Sequence, residues 1–180
     1  MTLWNRPYTT AELDELQGSS AAGQLGMSFT AIGPDWVEAK LPLHAKTIDE
    51  HGNMHGGALS ILAETIGSTA ATMAIDTSVN RVVGQTLNVY HTHRSSAGPM
   101  IARCHNVSIN ERTHVWRIDI HDADHRLVSF ALLTMAVIEA AVALARMTCW
   151  DSGRTGALSP AAGQDTASLP RRNACTPKDR

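Results

Sequence analysis

One run decides most of what this chain can fold into: 55-HGGALSILAETIGSTAATMA-74. Leu59, Leu62, Ile66 and Met73 recur at three- and four-residue steps, widened by Ala58, Ile61, Ala63, Ala70 and Ala71. That spacing predicts a helix over about 56–75 that is apolar around most of its circumference. A helix of this kind is stable only when it is covered on most sides, so the rest of the chain has to wrap it.

The rest of the chain reads mainly as strands. The runs 27-MSFTAIG-33 and 36-WVEAKLPL-43 alternate partially and flank Gly33-Pro34-Asp35, a hairpin signal. The polar segment 44-HAKTIDEHGNMHG-56 reads as a loop feeding the helix. Four further strands are expected at about 81–92, 100–109, 113–122 and 126–138, broken at 95-SSAGP-99, 110-NER-112 and 122-DAD-124. Connections this short favour antiparallel neighbours. Ahead of them, 9-TTAELDEL-16 suits a short helix capped by Thr10, and 18-GSSAAGQ-24 is loop or a weak helical turn.

Together these parts predict an α+β domain over 1–139, a curved antiparallel sheet wrapped around one long central helix. The chain of 180 residues, 43% of them hydrophobic, has apolar material for one such core. From Ala140 the composition changes. Residues 140–150 can add a helical turn or more, and 151–180, rich in Gly, Ser, Pro, Ala and Thr, read as disordered or loosely attached, so 140–180 is expected to be a largely disordered C-terminal extension.

A formal net charge of -2 offers no basic field for a phosphate backbone, which argues against nucleic acid. Cys104, Cys149 and Cys175 lie far apart with no CxxC spacing, so neither a zinc site nor a redox pair is expected. The first residues, 1-MTLWNRPYTTAELDEL-16, lack the apolar core of a signal peptide, and no run spans a membrane, so the cytoplasm is the expected compartment.

The helix also carries the chemistry. Gly56 and Gly57 sit where it begins, and without a Cβ they let a ligand approach unpaired, partly positive amides that can polarise a carbonyl. Glu64, between 61-ILA-63 and 65-TIGS-68, takes a carboxylate into an apolar setting that raises its pKa and makes it a base or nucleophile. Ser68, four residues on, either orients that acid or bonds back to its own helix. Likewise HGG is either an anion site or only a tight turn, and Glu64 either a reactive or a solvated acid. Asp49, His51 and His55 imitate a metal cluster, but Gly52 and Gly56 argue against helical presentation, so no metal is expected. His91 and His93 point the same way from a strand end, towards a pocket or towards solvent. Arg112 and Thr113 follow Asn110 at a turn, where the arginine either meets a phosphate or does nothing specific.

The segments 55-HGGALSILAETIGS-68, 82-VVGQTLNVYH-91 and 114-HVWRIDIHD-122, in this order of elements, resemble the hotdog-fold acyl-CoA thioesterases of the 4-hydroxybenzoyl-CoA and phenylacetate-pathway type. The likeness extends from about Leu3 to Glu139 and is strongest to the branch acting on aromatic acyl-CoA esters, which includes the 1,4-dihydroxy-2-naphthoyl-CoA thioesterase. The resemblance implies hydrolysis of an acyl-CoA thioester without a further cofactor, coenzyme A being part of the substrate. It also implies a homodimer joined sheet edge to sheet edge, or a homotetramer, with sites between subunits. Glu64 then stands as nucleophile or general base, Gly56 as the amide on the carbonyl, His55 as its assisting neighbour and Ser68 as the small group near the attacking water. Gly57 belongs to the same turn, Val83 and Gly84 border the pantetheine arm, His91 lies near the acyl pocket, and Arg112 with Thr113 near the nucleotide. One position departs: where relatives place a glutamine that donates to the carbonyl or water, this chain has Asp49, expected to stand near Glu64 as a like charge. The residues alone leave open a hydratase or dehydratase on the same scaffold, and a non-catalytic acyl-CoA-binding module.

Overall fold

The computed structural model describes residues 2–140. Of the expected 140–180 extension it includes Ala140 alone, so that expectation lies outside the described residues. Helix α1, Thr10–Gln17, is capped by Thr9 rather than Thr10. Glu12 sets this register: its side chain accepts from the Thr9 amide at 2.8 Å while the Thr9 hydroxyl accepts from the Glu12 amide, a reciprocal pair open only to a residue three positions earlier. The 18–24 stretch holds a second short helix, α2, Ala21–Gln24, capped by Ser20.

Strands β1, Ser28–Ile32, and β2, Trp36–Leu41, form the expected hairpin. The long helix α3 runs Gly56–Met73, two residues shorter at its end than the sequence indicates. It leads to β3, Asn80–His91, then β4, Met100–Ile109, β5, Thr113–His121, and β6, Leu127–Glu139. All pairings are antiparallel and the six-stranded order is β1-β2-β4-β5-β6-β3. The short break at 95–99 therefore does not join neighbours, contrary to the expectation from its length: β3 lies at the far edge beside β6, and β4 lies beside β2. The reason is the breadth of α3, which packs against β2 to β6. Having crossed over the sheet on α3, the chain lays β3 at a distance and returns to fill the gap with three strands.

Alternation seats the core. On β5, His114, Trp116, Ile118 and Ile120 are buried while the residues between them are half-buried. Leu62, Ala63, Ile66 and Ala70 meet them from α3, and each large side chain so buried contributes about 1.5–3 kcal/mol. Gly67 sets the approach of helix to sheet, since a Cβ there would come within 2.5 Å of Leu133 Cδ2. Two polar atoms of this core, His114 Nδ1 and Trp116 Nε1, have no hydrogen-bond partner among the described residues, and burial holds the pKa of His114 below the ordinary value. Its unfolded pKa is about 6.5, so the stability it contributes is present above that pH and is lost as pH falls towards the lowered folded value. Melting temperatures at pH 7.5 and 5.5 are expected to differ less in His114→Phe than in wild type, and an unchanged difference would exclude His114 as a source of acid sensitivity.

Candidate active site

The start of α3 discriminates between its two glycines. His55 is the N-cap, and its Nδ1 accepts from the Gly57 amide at 2.9 Å. That bond leaves the proton of a neutral His55 on Nε2, facing outward from an exposed side chain. The His55 amide is taken by the Thr47 carbonyl at 2.8 Å. Among the described residues only the Gly56 amide of this turn has no acceptor, so it is the one open to an oxygen that gains charge.

His91, at the end of β3, closes over Gly56: its Nε2 would lie 3.0 Å from a Cβ placed there. The ring is held from behind by Ser129, whose Oγ is 3.2 Å from both His91 Nδ1 and the Tyr90 carbonyl. With the hydroxyl donating to that carbonyl, Nδ1–H donates to Ser129 and Nε2 presents a lone pair to the site. Ser129 is fully buried and interrupts the apolar run 127-LVSFALL-133, a signal in the sequence that its strand reading passed over.

Glu64 lies two turns further along α3, half-buried, and among the described residues its carboxylate has no hydrogen-bond partner. Burial raises its pKa. It faces β3 at Gly84, where an added Cβ would sit 3.2 Å from Glu64 Oε1. On its other side opens a hollow of about 380 Å³, lined by Gln17, Ser20, Ala21, Ala22, Ser60, Ile61 and Thr65 together with Glu64. The α1 and α2 residues of this wall were not legible as site residues, because nothing local links them to α3. A second hollow of about 360 Å³ adjoins His55 and Gly57, with Lys46, Ile48 and Leu25, and shares Ile61 with the first.

The other expected residues separate. Ser68 bonds back to the Thr65 carbonyl at 3.2 Å and lines a different hollow, with Tyr8 and Leu13. Within one chain no charge from Asp49 contributes to the raised pKa of Glu64. Asp49 Oδ1 accepts from the His51 and Asn53 amides at 2.9 Å each, and these bonds outweigh desolvation to hold its carboxyl below the ordinary value, whereas burial is what raises Glu64. Asp49 thus shapes the loop before the helix. Arg112 and Thr113 sit in the β4–β5 turn, their amides bound by Asn110 Oδ1. Thr113 and Val83 both pair with Ala136, which sets this turn in the same transverse row as Val83, at the Gly84 end of β3.

Distance governs what one chain can do. Gly56 and Glu64 are eight residues apart on α3, and at 1.5 Å per residue their backbones are about 12 Å apart along the axis. No single carbonyl group spans that. Both nevertheless abut β3, Glu64 at Gly84 and Gly56 at His91, and among the described residues nothing pairs with the outer edge of that strand.

The model of the family described as Thioesterase superfamily matches residues 51–129, which contain His55, Gly56, Gly57, Glu64, Gly84, His91 and Ser129. A 1,4-dihydroxy-2-naphthoyl-CoA hydrolase of Escherichia coli K12 is 32% identical over 136 residues, covering 76% of this chain and 99% of the relative. The crystal structure of thioesterase HI1161 from Haemophilus influenzae superposes with a TM-score of 0.74 at 34% identity, covering 77% of this chain and 96% of that one. A mutant of thioesterase PA1618 from Pseudomonas aeruginosa superposes with a TM-score of 0.75 at 32% identity, over 77% and 99% of the two chains. With a sheet that packs against one helix as in those structures and likeness along nearly their whole length, the chain belongs to the thioesterase superfamily and is a hotdog-fold thioester hydrolase.

Proposed function

We propose that the protein hydrolyses an aromatic acyl-CoA thioester to the free acid and coenzyme A in a site shared by two chains. The observation that carries this reading is the pairing of each reactive group with a point on the free edge of β3. Continuing the sheet through two antiparallel β3 strands, with a two-fold axis near Asn88, sets Gly84 opposite the partner's His91 once the bulge at Gln85 is counted. Glu64 of one chain then meets the Gly56 amide of the other. Val83 and Tyr90, both exposed on this strand at 48% and 49%, would be covered by the same contact.

In that arrangement the thioester oxygen accepts from the Gly56 amide, which draws electrons from the carbonyl carbon. Glu64 takes the proton of a water that attacks that carbon, or attacks it directly to give a mixed anhydride that a water then hydrolyses; by either route the C–S bond breaks, the acid is released, and the thiolate of coenzyme A takes up the proton that the water gives up. Asp49, ionised and without a proton to give, takes no part in holding the carbonyl. The aromatic acyl class is supported by the hollow beside Glu64, whose apolar wall is Ala21, Ala22 and Ile61, and by the name of the Escherichia coli relative.

The test is thiol release, followed with a disulfide reagent, across benzoyl, phenylacetyl, naphthoyl, straight-chain acyl and 2-enoyl-CoA esters. Aromatic esters are expected to turn over fastest. Preference for straight chains would overturn the acyl assignment, loss of enoyl absorbance without thiol would indicate a hydratase, and tight binding without turnover a binding module.

A further inference from the structure

The Gly56 amide and His91 lie on separate segments, and a third segment ties them together. Residues 92–99 begin directly after His91 and end at β4. Within them the Ser95 carbonyl accepts from the Met54 amide at 2.8 Å, immediately before His55 and Gly56. The Ser95 hydroxyl donates to Asp122 Oδ2 at 2.7 Å and accepts from the Ala97 amide at 3.1 Å. Ser95 and Asp122 are both buried, at 4% and 1% exposure.

Asp122 itself is anchored in the β5–β6 hairpin. Its Oδ1 accepts from the Asp124 and Arg126 amides at 3.0 Å each, and its Oδ2 meets the Arg126 guanidinium at 2.9 Å. The hairpin therefore needs only part of this carboxylate, and the remaining bond reaches out of it to Ser95. Burial works against the charge, but the bonds from Ser95 and Arg126 outweigh it and bring the carboxyl down to about 2. The strut stays ionised at every pH at which Glu64 is a base.

We propose that Asp122, acting through Ser95, is a positioning residue for the carbonyl site, holding Met54 and so the free Gly56 amide in place beneath His91. The inference rests on the reading of Gly56 and Glu64 given above. It accounts for a buried carboxylate–hydroxyl pair that touches no part of the site and yet links the helix start to the end of β3. Removing it lets the Gly56 amide drift relative to the carbonyl, and a displacement of about 1 Å costs up to a hundredfold in rate without weakening binding of the coenzyme.

Ser95→Ala tests this, because it deletes the bond to Asp122, together with the one from the Ala97 amide, while leaving the hairpin bonds of Asp122 intact. On the ester turned over fastest, kcat is expected to fall roughly ten- to a hundredfold with KM within about twofold of wild type. Hydrogen exchange at the Met54 amide is expected to quicken, and Ser95→Thr, which keeps the hydroxyl, to recover most of the loss. Unchanged kcat, a loss confined to KM, or no recovery with Thr overturns the proposal. Should Ser95→Ala fail to fold, Ser95→Cys, of similar size and weak as a donor, is held to the same outcomes. Glu64→Ala assayed in parallel separates the two levels: retained turnover there defeats the reading of the site, whereas its loss together with an unaffected Ser95→Ala defeats the strut alone.

Discussion

Glu64→Ala is expected to lower kcat for thioester hydrolysis roughly a thousandfold, the range lost when a positioned base or nucleophile is removed. The fold is expected to survive it. Among the described residues no partner hydrogen bonds the Glu64 carboxylate, so its removal leaves no orphaned donor, and the group is half-buried at the rim of a hollow rather than in the core. The raised pKa gives this prediction a pH signature. A carboxyl whose folded pKa stands above its unfolded value of about 4.3 contributes stability that is present below that value and lost as pH rises through the folded one. At neutral pH the ionised Glu64 is therefore a net cost, and Glu64→Gln is expected to melt no lower than wild type at pH 8, with any gain vanishing near pH 4. Wild-type kcat/KM is expected to fall in acid as the same carboxylate takes up its proton. Near-normal turnover by Glu64→Ala, or a rate independent of pH through the range in which Glu64 titrates, would remove Glu64 from the chemistry.

The second large effect distinguishes a site shared between chains from one built within a chain. Gly56→Val places a side chain against His91 Nε2, where even a Cβ lies at 3.0 Å, and fills the space of the carbonyl. Alone it is expected to lose about 10²–10³ in kcat, as for loss of an oxyanion donor. Co-expressed with Glu64→Ala, the two inactive chains are expected to form mixed dimers in which one site combines a native Gly56 with the partner's native Glu64. Random pairing makes half the dimers mixed, each with one working site of two, so about a quarter of wild-type activity is expected to return. A site assembled within one chain predicts no recovery at all. The 12 Å of helix between the two groups, estimated from the rise per residue, makes recovery the expected result.

Asp49 engages its own loop more fully than its position suggests. Counted back from His55 it occupies the place of a donor near the carbonyl, and its charge promised a further push on Glu64. In the fold its carboxylate turns into the loop, against the amides of His51 and Asn53. Asp side chains reach their own backbone two residues on, and that local option was available from sequence chemistry alone. Ser68 made the same choice, bonding back to Thr65. In both cases a short polar side chain satisfied itself close by, which a comparison of positions does not register.

What the chain determined without tertiary context is the set of elements and the environment of Glu64. Three- and four-residue steps define α3, Ser20 and Glu12 settle the caps, alternation defines β5, and an acid among Ile61, Leu62, Ala63 and Ile66 has to lose water wherever the helix packs. Each follows from residues within a few positions of one another. The placement of β3 beyond β6 was decided only by packing, because a helix as broad as α3 has to be covered and the short 92–99 connection gave no sign of the crossing. On that placement depend the contact of Glu64 with Gly84, the closure of His91 over Gly56, and the link from Asp122 through Ser95 to Met54. These contacts join segments tens of residues apart, and their strength comes from shared burial rather than from local preference, so no spacing in the sequence could announce them.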